Sequence, residues 1–126
     1  MGDKPEYKVI TSEKDGILAL VFSGEVAHDS IGEMDNHINE IIKTNNAQNI
    51  LIDVRALKGR YGYTEAYFRV REYPSFRLRV NTACVDLPEH ADYQNFHENT
   101  SVNAGFTFKW FTEVDKARAW LKSLSE

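Results

Sequence analysis

The chain has 126 residues, of which 42% are hydrophobic and 27% are charged, as in an ordinary folded domain. Its net charge of −4 disfavours a nucleic-acid-binding function, and its single cysteine allows neither an internal disulfide nor a cysteine-based metal motif. No apolar run approaches the ~18 residues that cross a membrane, and the N-terminus lacks the apolar segment of a signal peptide. We therefore expect one domain, spanning residues 1–126, in the cytoplasm.

The first segments of the chain predict a hairpin. Residues 7–11 and 17–22 have the composition of strands, and Asp15 with Gly16 provides the turn chemistry between them. The N-terminal strand is therefore expected to be antiparallel to the second.

A helix and a buried strand are predicted next. Ser30 and Glu33 match a capping box, in which each side chain satisfies a free backbone N–H at the helix start. Apolar side chains then recur at helical spacing up to Ile42, and Asn45 follows as an end signal. Residues 49–54, NILIDV, are apolar on both faces, which is typical of a central strand in a parallel sheet.

The second half predicts an alternation of helices and strands. A helix begins at its predicted N-cap, Thr64, and ends before Pro74, and a strand covers residues 78–85. A short polar helix covers residues 89–99, and the alternating residues 106–110 form a final strand before a C-terminal helix. This order predicts the α/β class: a mixed, mostly parallel five-stranded sheet with an antiparallel N-terminal edge strand and about four helices.

One segment, residues 55–79, is rich in arginine and aromatic side chains. It contains six of the seven arginines and six of the fifteen aromatic residues of the chain. Its six arginines and Lys58, set against Glu65 and Glu72, give a net charge of about +5, so the rest of the chain carries roughly −9. This asymmetry indicates a surface that meets an anionic partner. The alternative is that the arginines lie on tyrosine rings along a solvated helix.

Three stretches carry a resemblance to a known family: NILIDVRALKG after the first helix, REYPSFRLRVNTACVD into the fourth strand, and FTEVDKARAWL at the end. Together with the order of elements over nearly the full chain, they resemble the SpoIIAA-like group of STAS-type proteins, also described as STAS/CRAL-TRIO-like. The resemblance implies a single STAS-like domain that acts as a regulatory or binding module and not as an enzyme.

The resemblance also implies a position for a regulatory phosphate. Anti-sigma-antagonist STAS domains carry a phosphorylatable Ser or Thr in a D-S-S-G-like turn at the start of the second helix. The corresponding segment here, GRYGYTEA, lacks that motif, and its hydroxyl groups belong to Tyr61, Tyr63 and Thr64. A phosphate on Thr64 would lie at a helix N-terminus with Arg60 nearby, whereas the alternative is that Thr64 only caps the helix.

A ligand pocket is a second implication of the resemblance. CRAL-TRIO proteins enclose a large apolar ligand, for which this domain is too small. A shallow pocket at the carboxyl ends of the parallel strands is compatible with the size of the domain. We expect Asp53, Arg55 and Thr64 to lie near such a pocket.

Signals of catalysis or of a bound cofactor are absent from the sequence. His90 and His97 would lie two helical turns apart, about 10 Å, which is too far for one metal ion to bind both. No nucleophile elbow, phosphate loop or dinucleotide fingerprint occurs, and Cys84 lies within a predicted strand as a small buried side chain. Asp53 is the carboxylate to test first if the protein is an enzyme. We expect no enzymatic activity, no cofactor and no metal.

The leading hypothesis is a non-enzymatic regulatory module that binds an acidic protein partner, or a second copy of itself, through the 55–79 surface. The alternative is a carrier or sensor of a small anionic or lipid-like ligand, with its pocket at the ends of the strands. Nucleic acid is disfavoured as a partner because the chain outside this segment is acidic. The candidate binding residues are Asp53, Arg55, Arg60, Tyr61, Tyr63, Thr64, Tyr67 and Arg71.

Overall fold

A mixed five-stranded sheet forms the centre of the computed structural model, which describes residues 6–27, 30–60 and 62–124. The strands are β1 (Tyr7–Lys14), β2 (Ile17–Glu25), β3 (Asn49–Lys58), β4 (Asn81–Val85) and β5 (Phe108–Phe111). The α-helices are α1 (Ile31–Thr44), α2 (Tyr63–Arg71), α3 (Ala91–Asn103) and α4 (Val114–Leu124). Short 3-10 helices lie at Ser75–Arg79 and Pro88–His90. The predicted α/β architecture is confirmed.

The strands follow one another across the sheet in the order β1-β2-β3-β4-β5. β1 is antiparallel to β2, as predicted, and every later pair is parallel. Each parallel step crosses over through one α-helix, and right-handed crossovers that always advance in the same direction place their helices on the same face. α1, α2 and α3 therefore share one face of the sheet, and α4, which follows the last strand, covers the other.

Two apolar clusters match this arrangement. On the α1 face, Phe22, Ile38 and Ile52 belong to a cluster that joins β2, α1 and β3. On the α4 face, Leu51 and Leu121 belong to a second cluster. Alternation along β3 explains the division, because successive side chains of a strand point to opposite faces. Burial of a leucine such as Leu121, which is 0% exposed, contributes about 2 kcal/mol to folding.

β3 contains one residue more than β2 where the two strands pair. Val21 lies opposite Asp53, whereas Ser23 lies opposite Ala56, so the register shifts between these pairs. A bulge of this kind bends the strand and re-aims the side chains that follow it. Without the bulge, Leu57 would lie on the α4 face; with it, Leu57 packs in the cluster on the α1 face.

The predicted strand at residues 78–85 is wrong over its first residues. Ser75–Arg79 form a 3-10 helix, and β4 begins only at Asn81. The short helix exposes Leu78 and buries Arg77, the reverse of what an apolar inner face of a strand would do. The apparent alternation of apolar and charged residues in this stretch therefore misled the prediction.

Ser30 is the N-cap of α1, as predicted, but its predicted side-chain hydrogen bond is absent, and Thr64 as the cap of α2 is wrong. Ser30 precedes α1, but its backbone is already close to helical (φ −102°, ψ −3°) and its side chain makes no capping hydrogen bond. A capping side chain needs an extended backbone to reach the N–H groups of the first turn. Gly62 takes the cap position of α2, so Thr64 lies within the first turn and is not the cap.

The third helix begins later and extends further than predicted. The helix expected at residues 89–99 is divided into the 3-10 turn Pro88–His90 and the α-helix Ala91–Asn103. Pro88 stands in the first turn, as predicted, where its missing N–H removes no hydrogen bond. Among the helices of the three described ranges, none combines the length and the hydropathy needed to cross a bilayer.

Gly59 is predicted to be sensitive to substitution because it has a left-handed backbone (φ +107°) and a Cβ would stand 2.5 Å from the Val26 carbonyl oxygen. We expect Gly59→Ala to lower the free energy of unfolding by about 2 kcal/mol, through strain and overlap together. Gly16 is also left-handed (φ +77°) but has open space around its Cβ, so Gly16→Ala should cost about 1 kcal/mol through strain alone. Urea unfolding measures both losses, and equal values would contradict the importance of the Val26 contact.

Candidate functional site

Arg60 and Asp86 form a buried ion pair at the carboxyl-terminal edge of the sheet. Arg60 follows β3, and Asp86 directly follows β4. The Nε and Nη2 atoms of Arg60 donate to Oδ2 and Oδ1 of Asp86 at 3.2 and 2.9 Å. The Asp86 side chain is completely buried, and that of Arg60 is 14% exposed. Opposite charges thus connect the ends of two adjacent parallel strands.

Every N–H group of the Arg60 guanidinium has an acceptor within the protein. Two of them bind Asp86. The other three donate to the carbonyl oxygens of Val54, Leu57 and Gly59 at 2.8, 2.8 and 2.7 Å. A guanidinium has five donors, so Arg60 has none left for an external phosphate or carboxylate.

Asp86 receives two further hydrogen bonds, which extend the network to α3. The Leu87 backbone N–H donates to Oδ1 at 2.7 Å, and Gln94 Nε2 donates to Oδ2 at 2.7 Å. The sequence analysis missed both Asp86 and Gln94. A signal for Asp86 was present, because it directly follows an apolar strand at the edge where parallel strands place polar side chains.

Asp53 and Arg55 pair with each other and do not join this network. Arg55 Nε and Nη2 donate to the two carboxylate oxygens of Asp53 at 3.0 and 2.8 Å. These hydrogen bonds raise the pKa of the Arg55 guanidinium. Because Ile52 and Val54 belong to the cluster on the α1 face, Asp53 between them points to the α4 face. The Asp53 side chain is only 8% exposed, whereas that of Arg55 is 43% exposed, so solvent reaches this pair from the arginine side.

Two further arginines of the segment are engaged in different ways. Arg69 on α2 bonds Asp35 of α1 at 3.5 Å and Glu72 at 3.1 Å. Arg71 places its guanidinium carbon 3.8 Å from the centroid of the Tyr67 ring. Acids of the protein itself therefore pair with three of the six arginines, which reduces the basic charge available to a partner. The alternative of arginines lying on tyrosine rings holds for Arg71.

Three aromatic side chains of α2 are exposed close together. Tyr63, Tyr67 and Phe68 are 50%, 40% and 58% exposed. Tyr63 and Tyr67 lie one helical turn apart, and the Phe68 ring meets the Tyr67 ring edge-on with centroids 5.4 Å apart. We call Tyr63, Tyr67, Phe68 and Arg71 the α2 aromatic surface. The sequence analysis named three of these residues and missed Phe68.

Thr64 is exposed in the first turn of α2, beside this surface. A phosphate there would lie at the positive end of the helix dipole. The expected contact with Arg60 would require the breaking of existing hydrogen bonds, since every donor of Arg60 is used. Phosphorylation of Thr64 stays a prediction, and Tyr61 lies outside the described residues.

A cavity of about 100 Å³ lies between α1, α3 and the adjoining face of the sheet. Ile38 and Phe108 contribute to its apolar wall, and Arg77, Gln94 and His97 contribute polar groups. The cavity therefore combines an apolar lining with a small number of polar side chains, which is the usual composition of a small-molecule site.

This cavity differs from the predicted pocket in its residues. None of Asp53, Arg55 and Thr64 lines it. Strand alternation turns Asp53 to the opposite face, and Thr64 is exposed on α2. A pocket near these three residues is thus a different site from this cavity, and it stays a prediction.

Burial changes the protonation of two groups on the cavity wall. Burial, and secondly the charge of Arg77, lower the pKa of His97 from 6.5 to about 4. Burial, and secondly the charge of Asp86, raise the pKa of Cys84 to about 12, so the thiol stays protonated at neutral pH. Within the described ranges, no group of three His, Cys, Asp or Glu side chains is arranged to hold a metal ion.

The consecutive strand order, the crossover helices on one face and the C-terminal helix on the other define a SpoIIAA-like α/β domain. Solved structures have the same fold. The crystal structure of an anti-sigma factor antagonist from Mycobacterium paratuberculosis is similar with a TM-score of 0.65 and 16% identity, over 93% of this chain and 95% of that chain. An uncharacterized protein of the DUF3478 family with a SpoIIAA-like fold, from Shewanella loihica PV-4, is similar with a TM-score of 0.56 and 15% identity, over 96% of this chain and 98% of that chain.

No protein-family profile matches the sequence, and no curated protein gives a significant match. At the identities of the two solved structures, the likeness establishes the fold alone. The SpoIIAA-like fold expected from the three sequence stretches is confirmed.

Loss of the Asp86 charge should be strongly destabilising. Asp86→Asn leaves the buried Arg60 guanidinium without its counter-charge, so we expect the free energy of unfolding to fall by about 3 kcal/mol. Asp53→Asn is the matched control, because it removes the partner of the more exposed Arg55 and should cost less than about 1 kcal/mol. Urea unfolding at neutral pH measures both. Equal losses would show that burial of the pair around Arg60 has no special energetic role.

The low pKa of His97 predicts an acid-sensitive contribution to stability. The unfolded chain binds a proton near pH 6.5, whereas the folded protein binds it only near pH 4, so stability falls as the pH is lowered through this window. The loss attributable to His97 is at most about 3 kcal/mol. His97→Phe keeps an aromatic ring and should lose less stability than the wild type between pH 6.5 and 4.5. An NMR titration that places the His97 pKa near 6.5 would refute this expectation.

Proposed function

We propose that this protein is a non-enzymatic regulatory module that binds a protein partner through the α2 aromatic surface. The observation that carries the proposal is the exposure of three large aromatic side chains on a helix of nine residues. Tyrosine and phenylalanine are enriched in the buried centres of protein interfaces. Exposure of Tyr63, Tyr67 and Phe68 to water has no stabilising role in an isolated domain, whereas a partner would bury all three together.

The helix that carries this surface is held firmly on its inner side. Ala66 and Val70 are 0% exposed, and Arg69 connects α2 to α1 through Asp35. Tyr63 also packs edge-on against Phe96 of α3, with centroids 5.0 Å apart. A surface that is already positioned loses little conformational entropy on binding, which favours affinity.

The chemistry of the partner surface follows from Arg71. Its guanidinium lies over the Tyr67 ring and forms no ion pair with a carboxylate of the described residues, so it is placed to meet an acidic group at the edge of an apolar contact. The acidic partner expected from the sequence is therefore proposed in a narrower form: an apolar patch with a carboxylate opposite Arg71. A second copy of the chain is the competing occupant.

The structural comparisons support a regulatory protein-interaction role in general. They do not identify the partner or the surface that binds it. One protein with the same fold is an anti-sigma factor antagonist, and the likeness covers nearly the whole of both chains. Such a neighbour favours regulation through protein contacts over catalysis. The partner and the surface are supported by the geometry of α2 alone.

The proposal is tested by site-specific photo-crosslinking in cells of the source organism. A benzophenone side chain at position 67 should capture one protein, and the same group at position 10 should not. Ile10 is a suitable control because it is 70% exposed on β1, an edge strand of the sheet. Equal capture from both positions, or none from position 67, would contradict the proposal.

The affinity of the purified partner then separates the individual contributions. Tyr67→Ala and Phe68→Ala should each weaken binding about tenfold, with Ile10→Ala as the unchanged control. Because Tyr67 and Phe68 are exposed, each of these two substitutions should change the free energy of unfolding by less than about 0.5 kcal/mol. Capture of the chain by itself, together with a doubled mass in sedimentation, would assign the surface to self-association.

Thr64→Glu should also weaken binding if a phosphate at this position regulates an acidic partner; an unchanged affinity would remove that role.

A further inference from the structure

The cavity beside α3 contains a buried arginine that has no charged partner among the described residues. Arg77 is 7% exposed and lines the cavity. Its Nη1 donates to Asn39 Oδ1 at 2.7 Å, and its guanidinium carbon lies 4.6 Å from the centroid of the Tyr73 ring. Its Nε is buried without an acceptor, and no acidic side chain within the described ranges forms an ion pair with it.

A buried cation without a counter-charge is strongly unfavourable, because an amide and an aromatic ring replace only part of its hydration. The carboxylate of Asp35 also lines the cavity, but it pairs with Arg69. In the same protein, the buried guanidinium of Arg60 is neutralised by an ion pair with Asp86, which is the usual arrangement for a buried arginine. Among the described residues, the charge of Arg77 is therefore not matched by an acidic side chain.

Gln94 is a second unmatched group in the same cavity. It is 3% exposed, and its Nε2 atom is used by Asp86, but its Oε1 atom is buried without a donor. A water molecule would satisfy this oxygen and would leave the charge of Arg77 uncompensated. The two unmatched groups together require a negative charge and a hydrogen-bond donor.

The size and the polarity of the cavity limit the ligand further. Its volume of about 100 Å³ is several times the ~10–15 Å³ that one water molecule needs, so it admits a small organic ligand and not a large lipid. Met34, Ile38 and Phe108 provide an apolar wall, which disfavours an ion that is polar on every side. Phosphate is further disfavoured because it would need a second free cation, and the donors of Arg60 are all used.

We propose that this cavity binds a small aliphatic monocarboxylate of about three to five carbons. The carboxylate accepts hydrogen bonds from the guanidinium of Arg77, which offers a planar fork for two oxygens. The short chain contacts Ile38 and Phe108, and a hydroxyl group on the ligand donates to Gln94 Oε1. This ligand site is separate from the proposed docking role of the α2 aromatic surface, and its lining differs from the pocket that the sequence placed near Asp53.

The test compares butyrate with butyramide, which has the same shape and no charge. Amide resonances of the ¹⁵N-labelled full chain are followed while each compound is added. Butyrate should give saturable shifts at residues lining the cavity, with a Kd of about 1 mM or tighter, and butyramide should bind at least about tenfold more weakly. In addition, 3-hydroxybutyrate should bind more tightly than butyrate because its hydroxyl reaches Gln94.

Arg77→Met should weaken butyrate binding at least about tenfold. Arg79→Met is the matched control, since Arg79 ends the same 3-10 helix and is exposed, and it should leave the affinity unchanged. If Arg77→Met fails to fold, the comparison of butyrate with butyramide on the wild type still decides. Equal binding of the two compounds, no saturable shift with butyrate, or saturation of the cavity by inorganic phosphate instead would overturn the proposal.

Discussion

The Arg60–Asp86 ion pair is the interaction on which the arrangement of the carboxyl-terminal edge depends. It joins the chain after β3 to the chain after β4, and Gln94 extends it to α3. All five guanidinium donors and both carboxylate oxygens are used, which is the condition under which a buried pair is tolerated. Because Arg60 immediately precedes the segment leading into α2, the pair also sets where that helix begins.

Strand order imposes the second constraint, since consecutive right-handed crossovers place α1, α2 and α3 on one face. The cavity lies between α1, α3 and the strands. α2 is left packed against α3, with its aromatic side chains turned outward. Tyr93 of α3 lines the cavity and also contacts the Tyr63 ring at 6.2 Å between centroids, so Tyr93 connects the cavity wall to the α2 aromatic surface.

Periodicity and turn residues were enough to predict the sheet, its antiparallel edge and the helices, because these depend on local patterns. The misplaced start of β4, the absent side-chain hydrogen bond of Ser30 and the wrong cap at Thr64 show the limit of local patterns. The site was harder to predict. Asp86 lies 26 residues after Arg60, and a charge count over residues 55–79 carries no information about such pairing. The bulge in β3 determines which side chains after Asp53 lie on the α1 face of the sheet, and no residue type in the sequence predicts it.

Arg60 and Arg77 show how much the surroundings of one residue type decide its function. Both guanidinium groups are largely buried on the same side of the sheet and line the same cavity. Arg60 donates all its hydrogen bonds to a carboxylate and to backbone carbonyl oxygens, and its role is to stabilise the fold. Within the described residues, the other has one amide oxygen, one ring and an unused Nε. A buried cation without a counter-charge lowers stability, and the proposed carboxylate, by binding the folded state, would raise it. The same imbalance therefore explains both a cost to the free protein and a preference for an anionic ligand.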